Sequence, residues 1–292
     1  MAKTNTPLIL ISGATGNVGR EITTRLSSQK IPFRAMVRSR QGAEALAALE
    51  AAEVVVADFN DAASLTNALV GIDQAFLLTN SSEQAEDQQR GFVDVAKLVG
   101  VKHIVKLSQW AAATDSPVRF LRYHAAVEQH IRESGMAYTF LRPNLFMQGL
   151  LAFREQIIAQ GKFFAPAGDA KISVIDVRDI AAVAVAAMTG DSLAGRTYDL
   201  TGPEALTHAD MAQRLSKALG RTIEYIDVTP ESMMQSLLAI GLPRWQVEGV
   251  IEDYAHYRRG EASSIASGVQ LATGVKPHSF DEFAHDYAPA LS

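Results

Sequence analysis

The stretch "LILISGATGNVGRE", Leu8 to Glu21, constrains the fold more than any other part of the chain. An apolar run leads into three glycines, Gly13, Gly16 and Gly19, which open a segment carrying Val18, Ile22 and Leu26 on one helical stripe. A second apolar run, Phe33–Val37, comes next, so strand, glycines, helix and strand fit into about the 30 residues that such a unit needs. In that setting Gly13 permits a tight turn, Gly16 lets backbone approach a pyrophosphate, and Gly19 lets the helix lie close on the strand. The helix N-terminus then offers unbonded N–H groups to an anion. The cluster reads as a dinucleotide cradle. A glycine-rich turn without a ligand is the plain alternative.

The rest of the chain repeats the rhythm. "EVVVADF" (Glu53–Phe59), "QAFLL" (Gln74–Leu78), "HIVKLS" (His103–Ser108) and "AYTFLRP" (Ala137–Pro143) are strand-like runs separated by helix-length segments, and a helix is expected through Leu46 and Leu49. Alternation of this kind predicts an α/β fold, a Rossmann-type doubly wound parallel sheet covered on both faces. Beyond Pro143 the pattern changes. "KISVIDVRDIAAVAVAAM" reads as a strand running into a helix with Asp176 as N-cap, and Thr207 caps a second helix that stops at Gly220. Residues 1–150 are therefore expected to form the dinucleotide-binding domain. Residues 151–292 are expected to supply the remaining sheet elements and a small, mostly helical C-terminal lobe over a substrate cleft, the two parts interleaved.

With 292 residues, 48% hydrophobic and 20% charged, the chain can bury a full core. A net charge of −5 argues against nucleic acid or an anionic membrane as partner, and the absence of cysteine excludes disulfides and thiolate chemistry. The "MAKTNTP" start leaves no room for a leader before Leu8, and "IAAVAVAAM" (Ile180–Met188) is too short to span a bilayer, so a cytoplasmic location is expected. The histidines lack ligand spacing, and "EFAH" (Glu282–His285) has no second copy, so no metal is predicted. Monomer and homodimer both stay open.

Cofactor choice rests on the residues just past the second strand. An NAD site places Asp or Glu there. This chain has "VRSR", with Arg38 and Arg40 and no acid before Glu44, and a guanidinium suits a 2′-phosphate. NADP(H) is the expected cofactor, two solvated loop arginines the alternative.

The segments "GATGNVG", "MVR", "ADFND", "LSQWAA", "ESGMAYTFLRPNLFM", "IDVRDIA" and "YDLTGPEALT" together resemble the NmrA-like group of atypical short-chain dehydrogenases/reductases over nearly the whole chain. The group includes quinone, triphenylmethane-dye and azo-dye reductases, and also a dinucleotide-binding regulator that is not an active dehydrogenase. The resemblance implies that Thr15, Gly16, Asn17 and Val18 contact the pyrophosphate and Arg38 the 2′-phosphate. It puts Asp58 and Phe59 beside the adenine, Leu78, Thr79 and Asn80 along the nicotinamide ribose, and Pro143 with Asn144 near the nicotinamide. Phe146 and Met147 would wall the acceptor side, and Asp176, Arg178 and Asp179 would form a capped helix start with a salt link.

The catalytic pattern of the wider superfamily is incomplete. Ser108 stands after the fifth strand where that serine would, and is grouped with the cofactor residues, but Tyr123 is followed four residues later by Val127 and not by lysine. Without the ammonium, nothing lowers a phenol from its ordinary pKa of about 10. His124 matches the position of a lysine in isoflavone-reductase-like relatives and could donate a proton near neutrality. It also shares a stripe with Phe120, Val127 and Ile131, which fits a core histidine equally well. In the tail, Trp245 could close the acceptor cleft or merely pack the lobe. The leading expectation is NADPH-dependent hydride transfer to a small aromatic acceptor, a quinone or an azo or triphenylmethane dye. The other class is a redox sensor that binds the dinucleotide and signals through a protein partner.

Overall fold

The structure is a computed structural model that describes residues 8–190 and 192–292. Residues 1–7, which make up the "MAKTNTP" start, lie outside the described residues. The elements are β1 (Ile9–Ile11), α1 (Asn17–Ser28), β2 (Phe33–Val37), α2 (Arg40–Glu44), β3 (Ala52–Val56), α3 (Ala62–Leu69), β4 (Gln74–Leu77), α4 (Ala85–Leu98), β5 (His103–Leu107), α5 (Arg119–Ser134) and β6 (Ala137–Pro143). After a 3₁₀ segment (Met147–Phe153) come α6 (Arg154–Gln160), β7 (Lys162–Ala165), α7 (Val177–Thr189), β8 (Arg196–Leu200), α8 (His208–Leu219) and β9 (Glu224–Asp227). The chain ends with α9 (Pro230–Ala239), α10 (Arg244–Arg258), α11 (Gly268–Thr273) and α12 (Phe280–Leu291). No described helix is long and apolar enough to cross a membrane.

Seven strands form one sheet in the order β3–β2–β1–β4–β5–β6–β8, and the ladders from β3 through β6 are parallel. This is the doubly wound order, which reverses direction between β1 and β4, where such sheets hold their ligands. Strand and helix faces agree. Ile9, Leu10 and Ile11 are all buried, as a central strand covered on both sides requires.

The chain divides into two compact units built from interleaved segments. The first contains the residues up to Ser108, Tyr123–Arg142 and Ile180–Tyr198. Its core joins Leu10, Leu69, Phe92, Ile104, Ile131 and Phe140. The second contains Gln109–Arg122, Pro143–Asp179 and Asp199–Ser292, with a core around Met147, Phe163, Leu215, Phe280 and Phe283.

Two local expectations differ from the structure. The helix expected through Leu49 is regular only to Glu44. Beyond it Leu46, Ala47 and Leu49 bond to carbonyls three residues back, a tighter winding than the α-helix. The "KISV" run is not a strand: its backbone is shared among single bridges, Ile172 to Leu206 and Ile175 to Phe146, with Ser173 bonding to Ala262. The second unit is mostly helical, with α6 and α8–α12, and also contains a two-stranded parallel sheet, β7 with β9. The second capped helix agrees with its sequence. Thr207 accepts from Asp210 N–H and Gly220 ends the helix in the left-handed region at φ 64°.

Candidate functional site

In the first unit the glycine segment links β1 to α1. Gly13 has a φ of 63°, open to glycine at little cost, and its carbonyl accepts from Gly16 N–H at 3.0 Å. A Cβ on Gly19 would meet the Gly13 oxygen, so the first turn of α1 can lie on the loop only without a side chain there. Thr15, Gly16 and Asn17 are exposed; Val18 and Gly19 are buried. Gly16 is the N-cap, with no side-chain bond to the helix end and no acid in the first turn. The protein therefore leaves the positive end of α1 uncompensated, the condition under which a phosphate binds best.

The facing wall is built by Ser12. Its hydroxyl donates to the Phe76 carbonyl at 2.9 Å and accepts from Leu78 N–H at 2.8 Å, which ties the end of β1 to the end of β4 at the reversal point. Leu78 and Thr79 are half-buried and Asn80 is exposed. Thr79 accepts from Gln89 at 2.8 Å. Arg38 leaves β2 exposed, followed by Ser39, which caps α2. Asp58 holds its own turn by accepting from Asn60 N–H at 2.8 Å, and Phe59 packs on Phe92 with ring centroids 5.6 Å apart. These exposed positive and polar groups at the strand ends fit an adenosine with a 2′-phosphate.

Behind Ser108 lies a buried charged network. Lys106 and Ser108 share one face of β5, and α5 covers it with His124 and Glu128 one turn apart. The Ser108 hydroxyl donates to Glu128 at 2.5 Å, and Arg142 binds the same carboxylate through Nε at 2.8 Å and a terminal nitrogen at 2.6 Å. With its proton committed inward, Ser108 offers only lone pairs outward and cannot act as the acid. Lys106, fully buried, reaches His124 Nδ1 at 2.8 Å and the Leu107 carbonyl at 3.0 Å. Burial pushes the Lys106 ammonium down to about 7, against the pull of Glu128. Burial, then the Lys106 and Arg142 charges, hold His124 well below the usual imidazole range. Tyr123 lies against His124 with the rings tilted by 32° and centroids 4.2 Å apart, and its phenol bonds to Ser81 at 2.9 Å.

Sequence reasoning missed Lys106, Glu128, Arg142 and Ser12. A signal existed for Lys106: a lysine inside a parallel strand covered on both faces has no route to water.

In the second unit Pro143 ends β6, and the side-chain amide of Asn144 is used internally. Its nitrogen donates to Ser173 Oγ and the Ala262 carbonyl, both at 2.9 Å, while its oxygen accepts from Leu145 N–H. Phe146 and Met147 line a cavity of about 70 Å³ with Phe153, Phe163, His208 and Tyr254. About 150 Å³ holds a benzene ring, so this niche fits a substituent and not a ring. His208 Nδ1 is buried there without a partner, and burial pushes its pKa down to about 4. Trp245 stands apart from this cavity, with Phe120 at 5.4 Å and the Arg119 guanidinium over its ring at 5.5 Å. Asp176, Arg178 and Asp179 are structural. Burial alone would raise Asp176, but the Arg178 guanidinium and N–H overcome it and hold the carboxyl low, while Asp179 binds His278.

Known proteins share the sequence and the fold along nearly the whole chain. The chain is 36% identical over 284 residues to a protein named NAD(P)H azoreductase from Xenophilus azovorans, covering 97% of this chain and 99% of the relative. A structure of an NADPH-dependent quinone oxidoreductase from Escherichia coli complexed with NADPH superposes with a TM-score of 0.84 at 28% identity, over 95% of this chain and 99% of that one. The Citrobacter sp. triphenylmethane reductase complexed with NADP(H) gives 0.82 at 25% identity, over 96% and 99%. Together with the model of the NmrA-like family, which matches residues 5–284, these likenesses show that the chain belongs to the NmrA-like family.

Proposed function

We propose that this chain is an NADPH-dependent oxidoreductase that reduces an aromatic acceptor, a quinone or an azo or triphenylmethane dye. The observation that carries the reading is the uncompensated N-terminus of α1 behind Gly13, Gly16 and Gly19, with Arg38 exposed where an NAD site would have an acid. The names of the azoreductase and of the quinone and triphenylmethane-dye reductases support the acceptor class.

Bound NADPH supplies the hydride. Backbone N–H groups at Thr15–Val18 would hold its pyrophosphate, Arg38 its 2′-phosphate, and Asp58 with Phe59 its adenine. Leu78, Thr79 and Asn80 would border the ribose, with Ser108 accepting a hydrogen bond. Pro143 and Asn144 would stand near the nicotinamide, where the internally bonded Asn144 acts as a rigid spacer and not as a hydrogen-bond partner. Phe146 and Met147 would offer a substituent of the acceptor an apolar, polarizable niche. Tyr123 lacks an activating lysine. His124, 2.8 Å from Lys106 through Nδ1, would accept there, carry its own proton at Nε2 and act as the proton donor in this reading.

The test is NADPH oxidation by the purified protein against quinones, azo dyes, triphenylmethane dyes and simple carbonyls. Turnover above the protein-free rate with at least one aromatic acceptor is expected. NADPH binding without oxidation across the panel would overturn the reductase and favour a sensor.

A further inference from the structure

A buried lysine that serves only structure pairs with a carboxylate, because an ammonium removed from water needs a counter-charge. Lys106 does not. The nearby carboxylate of Glu128 is occupied by Arg142, by Ser108 and, at 3.2 Å, by Arg132. Lys106 Nζ instead donates to the Leu107 carbonyl and meets an imidazole nitrogen, a group that exchanges protons; neither neutralises its charge. The charged groups acting on the pair are Glu128 from α5 and Arg142 from β6, with Tyr123 of α5 against His124 and Arg132 of α5 bonded to Glu128. The two arginines offset the one carboxylate, so the pocket disfavours two protonated bases together. His124 retains 8% exposure whereas Lys106 has none, so of the two only the His124 side of the pair comes near the surface.

We propose that Lys106 and His124 hold one proton between them, and that this proton leaves through His124 Nε2 to complete reduction of the acceptor. The inference rests on the reductase reading. A quinone that receives a hydride, two electrons and one proton, from a reduced nicotinamide becomes the hydroquinone anion, and one further proton gives the hydroquinone. That proton leaves Nε2 as Lys106 Nζ gives one to Nδ1, which leaves a neutral amine. Solvent then protonates Nε2, and the Nδ1 proton returns to Nζ. The lysine recovers its charge without a path of its own. Lys106 acts through His124, as a positioning and proton-storing residue.

The experiment is ¹⁵N-histidine NMR titration of the full chain, wild type and Lys106→Met, alongside the pH profile of benzoquinone reduction. In the wild type, Nδ1 should be the acceptor nitrogen and Nε2 the protonated one, and both should respond at a common midpoint near neutral pH. Lys106→Met should raise the midpoint of His124 protonation by about one pH unit, since a like charge is gone. It should also lower the rate at neutral pH by about tenfold or more, and its activity should be lost at lower pH than in the wild type. Unchanged His124 titration and an unchanged pH profile in Lys106→Met would overturn the proposal. If that variant fails to fold, the wild-type spectrum decides alone: an Nδ1–H tautomer throughout contradicts the shared proton. The NMR arm needs no acceptor, so failure of turnover overturns the reductase reading separately from this one.

Discussion

The α-carbon of Gly19 faces the carbonyl oxygen of Gly13 so closely that a methyl group placed there would lie 2.0 Å from it. The contact sets the first turn of α1 against the loop that leaves β1, and with it the direction of the helix N–H groups. Gly19→Ala must push loop and helix apart. An overpacked contact of this kind costs about 1–3 kcal/mol. The expected outcome is a lower melting temperature together with an NADPH dissociation constant raised tenfold or more. Unaltered NADPH affinity, read by fluorescence titration, would show that the cradle is not where the phosphates sit.

Arg38 supplies the second prediction. Replacing it with Asp sets a carboxylate where a 2′-phosphate is expected, while the ribose hydroxyl of NADH gains an acceptor. Loss of one charge-assisted contact is worth about 1.5–3 kcal/mol, so the NADPH/NADH preference should fall by at least about tenfold. Paired titrations of both cofactors check it. A ratio equal to that of the wild type contradicts the assignment.

His208 makes the second unit sensitive to acid. Unfolded, its imidazole takes a proton near the ordinary 6.5; folded, burial delays this to about 4. Between those values the unfolded state binds more protons, so stability falls as pH drops from 6.5 toward 4, by up to about 3 kcal/mol. Its Nδ1 has no partner to lose. His208→Phe should therefore keep the neutral-pH melting temperature and flatten its fall on acidification. Thermal melts of both proteins across that pH range test this, and parallel curves would contradict it.

The doubly wound parallel sheet and the start of α1 were legible in the sequence because period and punctuation carry them. Apolar runs mark buried strands, Gly13 needs a positive φ, and Asp176 and Thr207 announce helix starts. The "KISV" run misled because a β-branched stretch says nothing about whether a neighbour lies alongside to form a ladder. The Lys106–His124 contact was hidden for a related reason. Either residue could be read alone, His124 as core or as acid, but their meeting depends on which face of β5 lies under α5. Phe146 and Met147 sit near each other in sequence and share a cavity, whereas Trp245 packs elsewhere because Phe120 and Arg119 hold it. Aromatic type signals burial and not the neighbour that provides it.

The proposed hydride transfer from NADPH to an aromatic acceptor can be followed as it happens. Stopped-flow reduction of benzoquinone with NADPH deuterated at the transferred position measures it most directly. The expected result is one hydroquinone per NADPH, a rate that saturates with both reactants, and a primary isotope effect that is lost when the label sits on the opposite face of the nicotinamide. NADPH that binds yet is oxidised no faster than in buffer, with neither label affecting the rate, would contradict it.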